Sequence, residues 1–126
     1  MIGSLKICMP FITIELSEQI KFDLQPFARA LHHYLAKRLS VPIAHLKTKL
    51  VLLTHTYVGT GEEHFGYVRL KLELRKGRDR SLLIECQNEI LKRLTEAIVQ
   101  LNPDQHFRIT VEWTELDPEL LVARGV

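Results

Sequence analysis

Residues 67–74, Tyr67-Val68-Arg69-Leu70-Lys71-Leu72-Glu73-Leu74, decide the fold. From Val68 onward apolar side chains alternate with Arg69, Lys71 and Glu73, the two-residue period of a half-buried strand. A turn centred on Gly77 follows over residues 75–80. From about Ser81 to Leu101 the residues Leu83, Ile90, Leu94, Ala97, Ile98 and Leu101 then recur at helical spacing. Asn102-Pro103-Asp104 stops that helix. Alternation returns from Phe107 to Thr114, with Phe107, Ile109, Val111 and Trp113 set against Arg108, Thr110 and Glu112. The unit is strand, helix, strand, and a short turn is expected after Pro118.

The residues upstream repeat it. Phe11 to Leu16 is rich in β-branched side chains and reads as a strand. From about Leu24 to Leu39, Phe27, Leu31, Leu35 and Leu39 recur every fourth position, which predicts a helix. Asp23 stands as its N-cap, Pro26 is tolerated in its first turn, and Ser40-Val41-Pro42 ends it. Leu46 to Val58 is a second extended run, and the loop from Gly59 to Glu63 predicts a hairpin between it and the strand at 64–74.

The order strand, helix, strand, strand, helix, strand predicts an α+β fold, with one sheet carrying two helices on one face. The opposite sheet face is expected to keep apolar side chains, so the chain is expected to oligomerise through the sheet.

Composition narrows the function. The 126 residues, 46% hydrophobic and 25% charged, fit a single globular domain. The net charge of +2 is too balanced for a general nucleic-acid binder, although Arg69, Lys71, Arg75, Lys76, Arg78 and Arg80 form a basic run that suits a small anion. Cys8 and Cys86 have neither metal-ligand spacing nor a disulfide framework, as expected for reduced thiols in a cytoplasmic protein. No apolar run is long enough for a membrane span, and the first residues do not read as a signal peptide. The six histidines form no metal pattern, and His32 and His33 are expected on the exposed side of the first helix. Gly59-Thr60-Gly61 lacks the third glycine of a dinucleotide turn and reads as a loop.

Met9-Pro10-Phe11-Ile12-Thr13-Ile14-Glu15 sets a proline directly before an apolar strand that ends in glutamate. Gly77 to Ser81 is similar to a Gly-x-Gly-Arg-Ser turn opening a helix. Val111-Glu112-Trp113-Thr114-Glu115-Leu116-Asp117-Pro118 is similar to a closing strand with a Glu-Leu-x-Pro ending. In this order and spacing, over residues 9–118, the chain resembles the tautomerase superfamily, in particular its 5-carboxymethyl-2-hydroxymuconate isomerase branch.

The resemblance implies a homotrimer, a small anionic substrate such as a hydroxymuconate-like carboxylate, and a proton-transfer reaction that needs no metal or cofactor. It implies that Pro10, once N-terminal, is the catalytic base, because a secondary amine among apolar groups and cations gives up its proton readily. Lys47 and Lys49 fall where the family has basic residues on its second strand. Arg80, or Arg78 in the other register of the turn, falls at the arginine opening the helix. Lysines in place of arginines offer point charges and no bidentate fork.

Pro10 is preceded in the sequence by Met9 and eight further residues, and a proline nitrogen inside a chain is an amide without a basic lone pair. Residues 1–8 therefore read as an N-terminal extension to a single domain at 9–126. Three alternatives stay open: translation starting at Met9, removal of the extension, or a non-catalytic homologue acting as a binding or structural trimer. Ile2, Leu5 and Ile7 would suit an added strand or plug at a subunit boundary.

Overall fold

The computed structural model describes residues 10–62 and 65–125. The strands are β1 (Phe11–Ser17), β2 (Lys47–Leu53), β3 (Phe65–Arg75) and β4 (His106–Leu116), and the helices are α1 (Leu24–Leu39) and α2 (Arg80–Val99). Short 3-10 turns occupy Ile43–His45 and Pro118–Leu120, the second of them where a turn was expected after Pro118. The extension, with Ile2, Leu5 and Ile7, lies outside the described residues.

One sheet forms in the order β2-β1-β3-β4. Each helix links two adjacent parallel strands, β1 to β2 through α1 and β3 to β4 through α2. The antiparallel pair β1 and β3 joins the two units at the centre, with Ile12, Ile14 and Leu16 opposite Leu72, Leu70 and Val68. Those six side chains bury against Phe27, Leu31, Leu35 and Leu39 of α1 and Leu83, Cys86, Ile90, Leu94 and Ile98 of α2. Each fully buried aliphatic side chain contributes about 1.5–3 kcal/mol, so this one layer of contacts holds the fold. The four-residue spacing read from α1 is its buried stripe without exception.

Two expectations are corrected. β2 and β3 form no hairpin: β1 lies between them, and β2 ends at Leu53, short of the predicted Val58. The parallel pairing of β1 and β2, Phe11 with Lys47 through Ser17 with Leu53, uses the hydrogen-bonding edge that a hairpin would have needed. The uncovered sheet face is mixed, with the partly exposed Phe11 and Val51 standing among charged side chains. Thr13, Glu15, Lys49, Val51, Arg69, Lys71, Glu73, Glu112 and Thr114 line a shallow depression there. Arg69 Nε lies 2.5 Å from Glu112 Oε1, and Lys71 Nζ lies 3.9 Å from Glu15 Oε2. Further exposed apolar surface sits on the edge strand β2 at Leu52, which is 58% exposed, and along α2 at Ile84, Leu91 and Val99.

Candidate active site

β1 begins next to Pro10, which is buried. Phe11 pairs with Lys47 at the start of β2 on one side and with Glu73 near the end of β3 on the other. Glu73 pairs in turn with Thr114 near the end of β4. The starts of β1 and β2 and the ends of β3 and β4 therefore share one end of the sheet. The turn after β3, where Gly77 adopts a φ of 122° open to glycine, starts α2 from the same end.

The candidate residues distribute over this end as follows. Lys47 donates through Nζ to the His45 carbonyl at 2.7 Å, and its ammonium stands 4.8 Å from the centroid of the Phe11 ring. It thus stands against the residue that follows Pro10. Lys49 is two residues further along β2 and opens onto the charged face with Lys71, Glu73 and Glu15. Arg80 is the first residue of α2 and lines a groove with Arg78, Leu83, Ile84, Gln87, Val111, Glu112, Trp113 and Glu115. Because β2 and β4 are opposite edges of the sheet, Lys47 and Arg80 share an end of the sheet without lining a common pocket within one chain. Both arginines of the turn line this groove, and Arg78 in addition donates Nη1 to the Leu39 carbonyl at the end of α1.

Trp113, Gln87 and Glu115 are site features that the sequence did not single out. Trp113 read as one more inward residue of an alternating strand. Its indole Nε1 donates to the Leu83 carbonyl at 2.7 Å, which fixes the ring between β4 and the first turn of α2. The only signal was that the chain's single tryptophan stands close to the closing Glu-Leu-x-Pro stretch.

Other titratable groups serve the scaffold. Burial pushes the Cys86 thiol up, which makes it unreactive in the core. Burial also pushes up the Tyr34 hydroxyl. The hydrogen bond from Arg69 holds the Glu112 carboxyl below its ordinary value. His32, expected on the solvent side of α1, is half-buried and bonds through Nε2 to Thr48 Oγ1 at 2.7 Å, while His33 is exposed as expected. Among the described residues no group of three or more His, Cys, Asp or Glu side chains could hold a metal ion. No helix among them is long and apolar enough to cross a membrane.

This arrangement has recognisable relatives. A 5-carboxymethyl-2-hydroxymuconate isomerase from Deinococcus radiodurans R1 superposes with a TM-score of 0.85 at 16% identity, over 95% of this chain and 92% of that one. A macrophage migration inhibitory factor homologue from Prochlorococcus marinus gives 0.64 at 19% identity, over 91% and 96%. A fused 4-OT wild type symmetric trimer gives 0.69 at 13% identity, over 92% and 94%. At these identities the likeness is one of fold. No curated protein matches the chain. The family profile of 5-carboxymethyl-2-hydroxymuconate isomerase matches residues 10–124. The chain belongs to the 5-carboxymethyl-2-hydroxymuconate isomerase family, within the tautomerase fold that its residues and topology define. Membership supports isomerase or tautomerase chemistry.

Proposed function

We propose that the chain is a cofactor-independent isomerase that moves a proton on a small unsaturated carboxylate of the hydroxymuconate type, with Pro10 as the base once the Met9–Pro10 bond is absent. The observation that carries this reading is the position of Pro10. It is buried at the start of β1, with Lys47 on the adjoining strand and the Arg80 turn at the same end of the sheet.

The free secondary amine takes a proton from one carbon or enol oxygen of the substrate and returns it to another position. Lys47, Lys49 and Arg80 hold the carboxylate and the negative charge that develops on the dienolate. Lys47 and Arg80 belong to opposite edges of one sheet, so a homotrimer that brings edges of neighbouring copies together fits this chemistry. The likeness to a symmetric trimer supports that assembly. In this reading residues 1–8 are an extension to a single domain at 9–126, in a cytoplasmic protein without nucleic-acid or membrane partners.

A second reading follows from the covalent structure. While residue 9 is attached, the Pro10 nitrogen is an amide, and the same fold is then a trimeric binding or structural protein. Intact mass of the protein from its natural source, paired with deuterium exchange into an unsaturated 2-oxo acid, tests the two. A mass beginning at Pro10 together with catalysed exchange supports the isomerase. A mass beginning at Met1 without exchange sinks it and leaves the binding role.

A further inference from the structure

The first turn of α2 carries Arg80 and is poorly fastened by its own side chains. Asp79 stands at the N-cap, yet its carboxylate bonds to no first-turn N–H and accepts instead from Ser81 Oγ at 2.7 Å. No acidic side chain lies in that turn to complement the helix dipole. A helix start without such a cap is less stable at its first residues.

Two bonds from other elements do the fastening. Arg78 donates Nη1 to the Leu39 carbonyl at the end of α1. Trp113 of β4 donates its indole Nε1 to the Leu83 carbonyl at 2.7 Å. A carbonyl has two lone pairs, so Leu83 accepts the indole and keeps its bond within the helix. Leu83 is buried, three residues after Arg80 and on the same helix face. The indole bond therefore crosses between the two walls of a groove of about 570 Å³, which Arg78, Arg80, Gln87, Trp113 and Glu115 help to line. It sets how far the turn stands from β4, and with that where the Arg80 guanidinium reaches. Packing alone does not call for a donor here, since Phe107, Ile109 and Val111 meet the same core from β4 without one.

We propose that Trp113 is a positioning residue: its N–H holds the first turn of α2 so that Arg80 meets a carboxylate in the groove. The choice of a carboxylate rests on the isomerase reading; the coupling of Trp113 to Arg80 does not, because it needs no free amine at Pro10.

The test separates the N–H from the ring. In 3-benzothienylalanine sulfur stands where the indole has its N–H, and the bicyclic shape is kept. Placed at position 113 of the full chain, it should raise the Kd for trans,trans-muconate in calorimetry by about fivefold or more. Arg80→Gln should weaken muconate as well, and the analogue added to Arg80→Gln should cost less than about twofold further, because the two groups act as one. In protein beginning at Pro10, the analogue should raise KM for an unsaturated 2-oxo acid by about fivefold with kcat within about twofold, the pattern of binding lost equally from ground and transition states. Trp113→Phe should show the same pattern and tests the idea with ordinary residues. A Kd unchanged by both replacements, an equal loss in the Arg80→Gln background, or no saturable binding of muconate to the parent protein would overturn the proposal. Coupled binding without isomerisation by protein beginning at Pro10 would instead defeat the isomerase reading and leave this one standing.

Discussion

The guanidinium of Arg78 donates to the main-chain carbonyl of Leu39 and so ties the turn before α2 to the last turn of α1. Carbonyls at a helix C-terminus have no partner within the helix, and the helix dipole favours a cation there. Arg80, two residues on, lines the groove that Arg78 also borders. The two arginines should therefore separate in mutagenesis. Arg78→Ala should cost about 1–2 kcal/mol of stability in urea unfolding. Arg80→Ala should leave stability within about 0.5 kcal/mol and lower kcat/KM on an unsaturated carboxylate at least about tenfold. If Arg80→Ala unfolds the protein and Arg78→Ala abolishes activity, the roles are reversed.

Asn102 bridges two connections far apart in sequence. Its Oδ1 accepts from the Lys21 N–H at 2.7 Å, and its Nδ2 donates to the Lys21 carbonyl at 2.7 Å and to the Ile98 carbonyl at 2.8 Å. The residue is 6% exposed, so water cannot replace these bonds. Asn102→Ala should cost about 2–3 kcal/mol, and Asn102→Asp should be worse at neutral pH because it sets a charged acceptor against two carbonyls. Unfolding at a fixed protein concentration measures both, since assembly would otherwise shift the midpoints. A loss under about 0.5 kcal/mol for the alanine variant would show that the bridge is dispensable.

His32 gives stability a pH dependence. Burial, and then the neighbouring His33, lower its pKa from the ordinary 6.5. The folded chain therefore binds this proton less readily than the unfolded chain. The stabilising difference is fully present above pH 6.5 and is lost as the pH falls through that value towards the depressed one. His32→Gln keeps a hydrogen-bonding end for Thr48 and removes the titration. Wild type should lose stability relative to this variant as the pH drops below 6.5. Parallel stability curves for the two proteins over that interval would refute the assignment.

The parts of the fold legible in the sequence are those set by local periodicity. Phe27, Leu31, Leu35 and Leu39 mark the buried face of α1 through spacing alone, and Val68, Leu70, Leu72 and Leu74 do the same for β3. Pairing was not legible, because it depends on edges. The apolar run through Leu53 suggested a partner in the next strand, yet β1 offers β2 a parallel edge and takes β3 on its other side. Glu15, Arg69, Lys71 and Glu112 all fall on the uncovered face, where they pair across strands beside the partly exposed Phe11 and Val51. At the site, Pro10 was legible from its position before a strand. The groove was not, because Arg80, Gln87 and Trp113 meet only when α2 lies over β4.

Pro10 itself yields the most direct prediction. The residue precedes β1, whose pairing starts at Phe11, and a proline offers no N–H to the sheet. Replacing it should therefore alter chemistry more than fold. In protein whose mass begins at residue 10, Pro10→Ala exchanges a secondary for a primary amine and should lower kcat by about 10²–10⁴-fold while circular dichroism and oligomer size stay unchanged. In protein that keeps residues 1–9, the same substitution should change nothing, because the nitrogen is an amide in both cases. Steady-state isomerisation of an unsaturated 2-oxo acid, run on all four proteins, measures this. Equal activity with and without the preceding residues would mean that the base is another group, and Lys47, on the neighbouring strand 4.8 Å from the Phe11 ring, is the residue to substitute next.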